Sequence, residues 1–276
     1  MSALGKFSGV LLASDFDDTL YNSKLEVSAE NVAAIEYFIR EGGHFTVSTG
    51  RAHRTFTPYL SLAPINAPVI LANGALLYDY EKNAAICERP LPNTALADLA
   101  MLSRKFPQVG IETYCGDLVY ICHPNAYTDR HVKRVNTDWT EREVKHMPTP
   151  WNKAVLQADY PTLLAVQKLM QERWGDRYEA IFSNEALLEC TAKNATKGGM
   201  VLELAKRLGV AKQDIYCVGD NQNDIPMLAV SAIPFAPENC AQAVKDWGAT
   251  LVRACDDHAI AHIVEILDER YGEINN

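Results

Sequence analysis

No stretch of this chain is long and apolar enough to suggest a membrane span. The longest apolar runs, Gly9-Val10-Leu11-Leu12-Ala13 and Pro68-Val69-Ile70-Leu71-Ala72, fall far short of the roughly 20 residues a helix needs to cross a bilayer. Residues Met1 to Lys6 lack the continuous apolar segment of an export signal. Cysteine is sparse and unpatterned: seven residues, an odd number, with no Cys-x-x-Cys pair. That argues against a disulfide framework or a zinc site and for reduced thiols in a cytoplasmic protein. Positive charge is also short, with 26 Lys and Arg against 35 Asp and Glu and a net charge of −9. A protein that grips nucleic-acid phosphates usually carries the opposite bias. The overall field repels polyanions and acidic membranes. We therefore expect no nucleic-acid partner, no membrane partner and, with no conspicuous exposed apolar run, a monomer. There are no repeats, low-complexity stretches or Ser/Gly-rich linkers.

The chain has 276 residues, 48% of them apolar and 22% charged. Those values fit one large globular domain or two modest ones. Strand-like and helix-like signals alternate through the first part. Val10–Ala13 reads as a short strand ending in Ser14-Asp15. Ser28 is a candidate N-cap for a helix with Val32, Ile35, Phe38 and Ile39 on one stripe. Gly42-Gly43 ends it, and strands follow at His44–Thr49 and Pro68–Ala72. The same grammar returns near the C-terminus. A helical stripe at Met200, Val201, Leu204, Ala205 and Leu208 closes on Gly209. Strands follow at Ile215–Val218 and Thr250–Val252, then an amphipathic helix over residues 257–270 with Ile260, Ile263, Val264 and Leu267 inward.

The middle reads differently. Hairpins are expected at Ile111–Tyr114 with Leu118–Cys122 and at Tyr178–Phe182 with Ala186–Cys190, and a helix at Thr162–Trp174. The fold expectation is α/β: a Rossmann-like, doubly wound parallel sheet. Its core, residues 1–82 and 191–276, would be interrupted by an α+β domain, residues 83–190. Tyr114, Tyr120 and Trp151 are expected in the core of that insert.

Ligands of open parallel sheets bind at the carboxyl ends of the strands, and there the chemistry-bearing residues gather. Asp15 and Asp17 stand two apart, a spacing that puts both on one face of an extended chain. Carboxylates held together call for a proton or a cation, and oxygen-only ligands favour a hard ion such as Mg2+. A calcium loop starting at Asp15 fails, because Leu20 stands where that loop needs Gly and a strand, not a helix, precedes it. Thr49-Gly50-Arg51 offers a hydroxyl and turn N–H groups to a phosphate. Arg51 could meet substrate or form a structural ion pair. Lys197 opens a helix, where the positive end of the dipole disfavours it unless an anion is near. Gly219-Asp220-Asn221-Gln222-Asn223-Asp224 forms a second acidic strand tip. His258 and His262 are spaced i, i+4, but no Glu follows His258 as a zinc protease requires; they read as packing or surface residues.

In that order, Asp15-x-Asp17-x-Thr19, Thr49-Gly50-Arg51, Lys197 and Gly219-Asp220-x-x-Asn223-Asp224 resemble the four motifs of the haloacid dehalogenase-like hydrolases. The long insert resembles the cap of the Cof-type branch, as do Asn73-Gly74-Ala75 and Ile225-Pro226-Met227-Leu228. The turn Pro234–Asn239 and the segment Asp257-His258-Ala259 depart from that branch.

The resemblance implies a Mg2+-dependent phosphatase acting on small phosphorylated metabolites such as sugar phosphates or cofactor precursors. Asp15 would be the nucleophile and Asp17 the general acid and base. The ion would be held by Asp15, the carbonyl of Asp17 and Asp220, with Asp224 orienting that shell. Thr49, Gly50, Lys197 and Asn223 would hold the phosphoryl group. The insert would close over the site and choose the substrate, with Asp117, His123 and Asn184 as contact candidates. A phosphomutase and a non-catalytic metabolite-binding protein are the alternatives.

Overall fold

A computed structural model describes residues 5–274. The first stretch runs β1 (Leu11–Ser14), α1 (Ala29–Arg40), β2 (His44–Val47), the single turn α2 (His53–Phe56), β3 (Val69–Leu71), β4 (Leu76–Asp79) and β5 (Ala84–Glu88). The insert carries α3 (Ala95–Lys105), β6 (Gly110–Cys115), β7 (Leu118–Cys122), α4 (Ala126–Val135), β8 (Thr140–Glu141), β9 (Lys153–Gln157), α5 (Tyr160–Trp174), β10 (Tyr178–Asn184) and β11 (Leu187–Ala192). The chain returns through α6 (Lys197–Leu208), β12 (Ile215–Val218), α7 (Ile225–Leu228), β13 (Pro234–Pro237), α8 (Gln242–Trp247), β14 (Thr250–Val252) and α9 (Ala259–Ile274).

The core sheet has five parallel strands in the order β14-β13-β12-β1-β2. Alternation along β1 feeds two apolar layers. Leu12 packs with Phe45, Tyr216, Phe235 and the buried stripes of α1 and α9. Leu11 and Ala13 face the other way, against Met200, Val201, Leu204 and Ala205 of α6 and Val244 of α8. Helices on both faces make this the doubly wound sheet expected. Ser28 caps α1 by accepting from the Asn31 N–H, and Gly42, at φ +90°, turns the chain back after it. His258 does not share the last helix with His262 as their spacing suggested; it sits before it at φ +64°. Its Nδ1 lies 2.9 Å from the Ser28 hydroxyl.

The ribbon β3-β4-β5 is antiparallel and joins the core sheet through a bridge between Ser48 and Ile70. The boundary read at 82/83 falls inside this ribbon, whose last strand packs Ile86 and Cys87 against the α6 layer. On the other side, β11 carries the insert's sheet to Ala192, beyond the boundary read at 190/191.

The insert has a six-stranded sheet, β10-β11-β9-β6-β7-β8, antiparallel except between β7 and β8. Its central strand β9 was not read from the sequence. One face packs Ile111, Ala154, Leu156, Leu188 and Cys190 under α3 and α5, with Trp151 at the same centre. The other face carries Tyr114, Lys153, Val155, Leu187 and Glu189, the alternate residues of the same strands. All seven cysteines are free, and burial pushes the Cys190 and Cys217 thiols well above their ordinary range. Among the described residues, no helix is long and apolar enough to cross a membrane.

Candidate active site

Asp15 leaves the end of β1 with its N–H donated to the Val218 carbonyl at the end of β12, 2.9 Å away. The two central strands thus hold its backbone. Phe16 turns into an aromatic cluster with Tyr21, Phe56 and Tyr59, stacking on Tyr21 at 4.9 Å between ring centres. Its carbonyl accepts the N–H groups of Leu20 and Tyr21. The loop therefore closes tightly, and both Asp15 and Asp17 border one cavity. Asp18 takes a left-handed φ of 61°, and its carbonyl accepts from the Asn239 amide at 2.9 Å. Asn239 lies in the segment that departs from the family pattern, and it ties this loop to β13.

Lys197, the first residue of α6, is 1% exposed. Its Nζ donates to Asp15 Oδ1 at 2.5 Å and to Asp224 Oδ1 at 2.6 Å. The local fold has no slack here. A Cβ on Gly74 would sit 2.1 Å from the Thr196 carbonyl, and one on Gly198 would sit 1.9 Å from that of Pro226. The missing side chains let α6 press its N-terminus into the site. The positive helix end that disfavours a lysine is outweighed by two carboxylates in direct contact.

Asp224 uses its other oxygen, Oδ2, to accept the N–H groups of Asp220 and Asn221, each at 3.0 Å. Asp220 in turn accepts from the Thr19 hydroxyl at 3.3 Å. Asp15, Asp220 and Asp224 offer carboxylate oxygens within 4.8 Å of one another. Burial pushes the Asp15 carboxyl up to about 7 despite the pull of Lys197. Asp220 is driven well above its ordinary value by burial and then by Asp15 and Asp224. Burial works against the Lys197 ammonium too, but the Asp15 and Asp224 carboxylates win and hold its pKa above the ordinary value. With all three carboxyls ionised, one ammonium cannot balance them, so a proton or a cation must, and all the donors are oxygen. The set fits a hard divalent cation.

Thr49 is buried, with its N–H on the Ile70 carbonyl and its hydroxyl accepting the Arg51 N–H at 3.2 Å. Gly50 stands against the Asn73 amide, and Asn223 donates to Asn73 Oδ1 at 3.1 Å. Arg51 resolves into an ion pair: its Nε and Nη2 grip both oxygens of Asp17 at 2.9 and 2.7 Å. The guanidinium also lies 4.4 Å from the Tyr59 ring centre. The Asp17 carboxylate is thus turned to Arg51 and not into the acidic triad.

The cavity between core and insert measures about 150 Å3. Of the expected insert contacts, Asn184 lines it. Asp117 lies outside, 3.4 Å from His53 Nδ1 on an exposed rim, and His123 does not line it. Tyr114, expected in the insert's own core, belongs to the small cluster it shares with Ala52 and also borders the cavity. Sequence reasoning missed Lys153, Glu189, His131 and Arg134, which line the cavity too. The signal for two of them was present: Lys153 and Glu189 are single charges inside the otherwise strand-like runs 153–157 and 187–192.

A doubly wound sheet with carboxylates at adjacent strand ends, a buried lysine between them and an inserted domain above defines a two-part α/β enzyme architecture. The family model for haloacid dehalogenase-like hydrolases matches residues 12–264, and the chain belongs to that family. It is similar to phosphatase YwpJ of Bacillus subtilis, at 27% identity over 93% of this chain and 99% of that one. It is also similar to a protein of the same organism named 5-amino-6-(5-phospho-D-ribitylamino)uracil phosphatase YwtE. There the identity is 25%, over 93% of this chain and 97% of the other. The fold matches the solved structure of a haloacid dehalogenase-like hydrolase from B. subtilis with a TM-score of 0.81. Identity to it is 23%, over 92% of this chain and 98% of that one.

Proposed function

We propose that the protein is a Mg2+-dependent phosphatase that releases inorganic phosphate from small phosphorylated metabolites through an aspartyl-phosphate on Asp15. The observation that carries this reading is the buried Lys197 ammonium bonded to both Asp15 and Asp224 beside Asp220. A lysine beside the attacking carboxylate, with oxygen donors that would hold a divalent ion, is what an incoming phosphoryl group needs. The names of the relatives support the same chemistry.

In this reading, Asp15 attacks phosphorus as the bond to the leaving oxygen breaks, and Asp17 gives that oxygen its proton. Water then attacks the aspartyl-phosphate, Asp17 takes the water's proton, and the Asp15–phosphorus bond breaks. Arg51 holds Asp17 on the cavity side throughout. Lys197, the Thr49 hydroxyl, the Gly50 turn and Asn223 hold the phosphoryl oxygens. Asp15, the Asp17 carbonyl and Asp220 would hold the ion, with Asp224 orienting them; when bound, it neutralises charge on the phosphoryl group. Acid–base catalysis supplies only about 10²–10⁴ of the acceleration required. Charge stabilisation and positioning must supply the rest. The insert serves as a cap that excludes water and selects the leaving group.

The test is phosphate release from a panel of phosphorylated metabolites and p-nitrophenyl phosphate, with and without Mg2+, beside Asp15→Asn. Release should require the metal and Asp15, and chelation should abolish it. Wild-type turnover by Asp15→Asn would refute the covalent route. Transfer to a sugar hydroxyl without free phosphate would make the protein a mutase.

A further inference from the structure

The insert's side of the cavity carries a second buried lysine. Lys153 on β9 is 2% exposed and Glu189 on β11 is 6% exposed, and both line the cavity opposite Asp15 and Asp17. Lys153 Nζ donates to Glu189 Oε2 at 2.9 Å and to the carbonyl of core residue Gly50 at 2.8 Å. The Ser183 hydroxyl donates to Glu189 Oε1 at 3.1 Å. Tyr114 turns its hydroxyl away to the buried Glu112 and leaves its ring under Lys153.

Each strong cation lining the cavity is matched by a carboxylate. Arg51 is bound to Asp17, Arg134 to Asp18 at 2.8 Å, and Lys153 to Glu189. Burial holds the remaining basic group, the His131 imidazole, below its ordinary value. The hydrogen-bonding capacity left over is asymmetric. An ammonium has three donors, and Lys153 has used two. A carboxylate has about four acceptor sites, of which Glu189 has used two, and the Ser183 oxygen keeps its lone pairs. At Lys153, Glu189 and Ser183 the unused acceptors outnumber the one unused donor, and the cation of this group is already paired with Glu189.

We infer that Lys153, Glu189 and Ser183 form a leaving-group subsite that takes an uncharged, hydroxyl-bearing leaving group and rejects one carrying a carboxylate or a second phosphate. The inference rests on the phosphatase reading above. Hydroxyl protons of the leaving group go to Glu189 and Ser183, and one hydroxyl oxygen accepts from Lys153. A carboxylate there would face Glu189 with no free cation.

The experiment compares kcat/KM within two matched pairs: glycerol 3-phosphate with 3-phosphoglycerate, and glucose 6-phosphate with 6-phosphogluconate. Values are normalised to p-nitrophenyl phosphate turnover by the same protein. Wild type should prefer the neutral member by about tenfold or more, since like charges placed together carry a large penalty. Glu189→Gln frees Lys153 and should shrink that ratio. Lys153→Met bares Glu189 and should enlarge it. A merely structural defect would lower both members alike and leave the ratio unmoved. No preference, a preference for the acid, or variants that shift the ratio in the same direction would overturn the inference. So would failure to turn over either pair while p-nitrophenyl phosphate is hydrolysed. Failure on p-nitrophenyl phosphate itself, with Mg2+ and a folded protein, would instead remove the phosphatase reading and the inference with it.

Discussion

Two lysines are buried near the cavity, one in the core and one in the insert, and their surroundings differ in one respect. Lys197, in the core, lies among Asp15, Asp220 and Asp224 and is outnumbered. Lys153, in the insert, meets one carboxylate and one carbonyl and is balanced. The core side therefore stores unmet negative charge, which a divalent cation would relieve, as a phosphoryl-transfer centre needs. At Lys153 and Glu189 the charges are balanced, and what remains unused there is mainly hydrogen-bond acceptors. Under the proposed function, charge serves the chemistry on one wall and hydrogen bonds serve selection on the other.

Removing each lysine in turn would sharpen that contrast most. Lys197→Met should cost about 10²–10³-fold or more in kcat, the scale of losing one charge-stabilising donor. It should also destabilise the fold by about 3–5 kcal/mol, because buried carboxylates lose their partner. Lys153→Met should act mainly through KM for hydroxylated substrates and spare p-nitrophenyl phosphate far more. Steady-state kinetics and urea melts separate the two, and equal kcat losses would break the contrast.

Next in size is Gly198→Ala. Its Cβ meets the Pro226 carbonyl at 1.9 Å, so α6 must retreat and carry Lys197 with it. A loss of about 1–3 kcal/mol is expected, with a fall in kcat larger than that of a surface Gly→Ala change. Unchanged kcat would mean that Lys197 tolerates displacement.

Titration tests the unmet charge directly. Without metal, the folded protein holds the Asp15 proton to about pH 7, whereas an ordinary aspartate releases it near 3.8. Stability from this group is thus present at low pH and lost as pH rises from about 4 to 7. Asp220 acts in the same direction. The Tm of chelated protein should be lower at pH 8 than at pH 5, and Asp220→Asn should narrow the gap. A metal-free Tm that is flat, or that rises with pH, would contradict the charge imbalance. The smallest effect belongs to Arg134→Ala. Its pair with Asp18 joins two half-exposed side chains, so a stability change of about 0–1 kcal/mol that fades with salt is expected in thermal melts.

Much of this was legible in the sequence because it is local. The stripe of α1 and its Ser28 cap, the stripe and Gly209 stop of α6, and the acidic tips after β1 and β12 all follow from residue spacing. The family motifs then allowed Asp15, Thr49, Lys197, Asp220 and Asp224 to be named before any geometry. What spacing could not show was which partner each polar group would take. Arg51 stood open between substrate and ion pair until Asp17 was seen in its fork. Tyr114 passed for a core residue of the insert until the β6 face was seen turned to the cavity. Lys153 and Glu189 lie 36 residues apart on strands that pair with each other. The sequence by itself determined the periodic elements and the acidic strand ends, because those depend on neighbours within a turn or a strand. The tertiary structure alone decided which charges are neutralised and which remain unmet, because that depends on distance and burial between residues brought together only when the insert folds over the core.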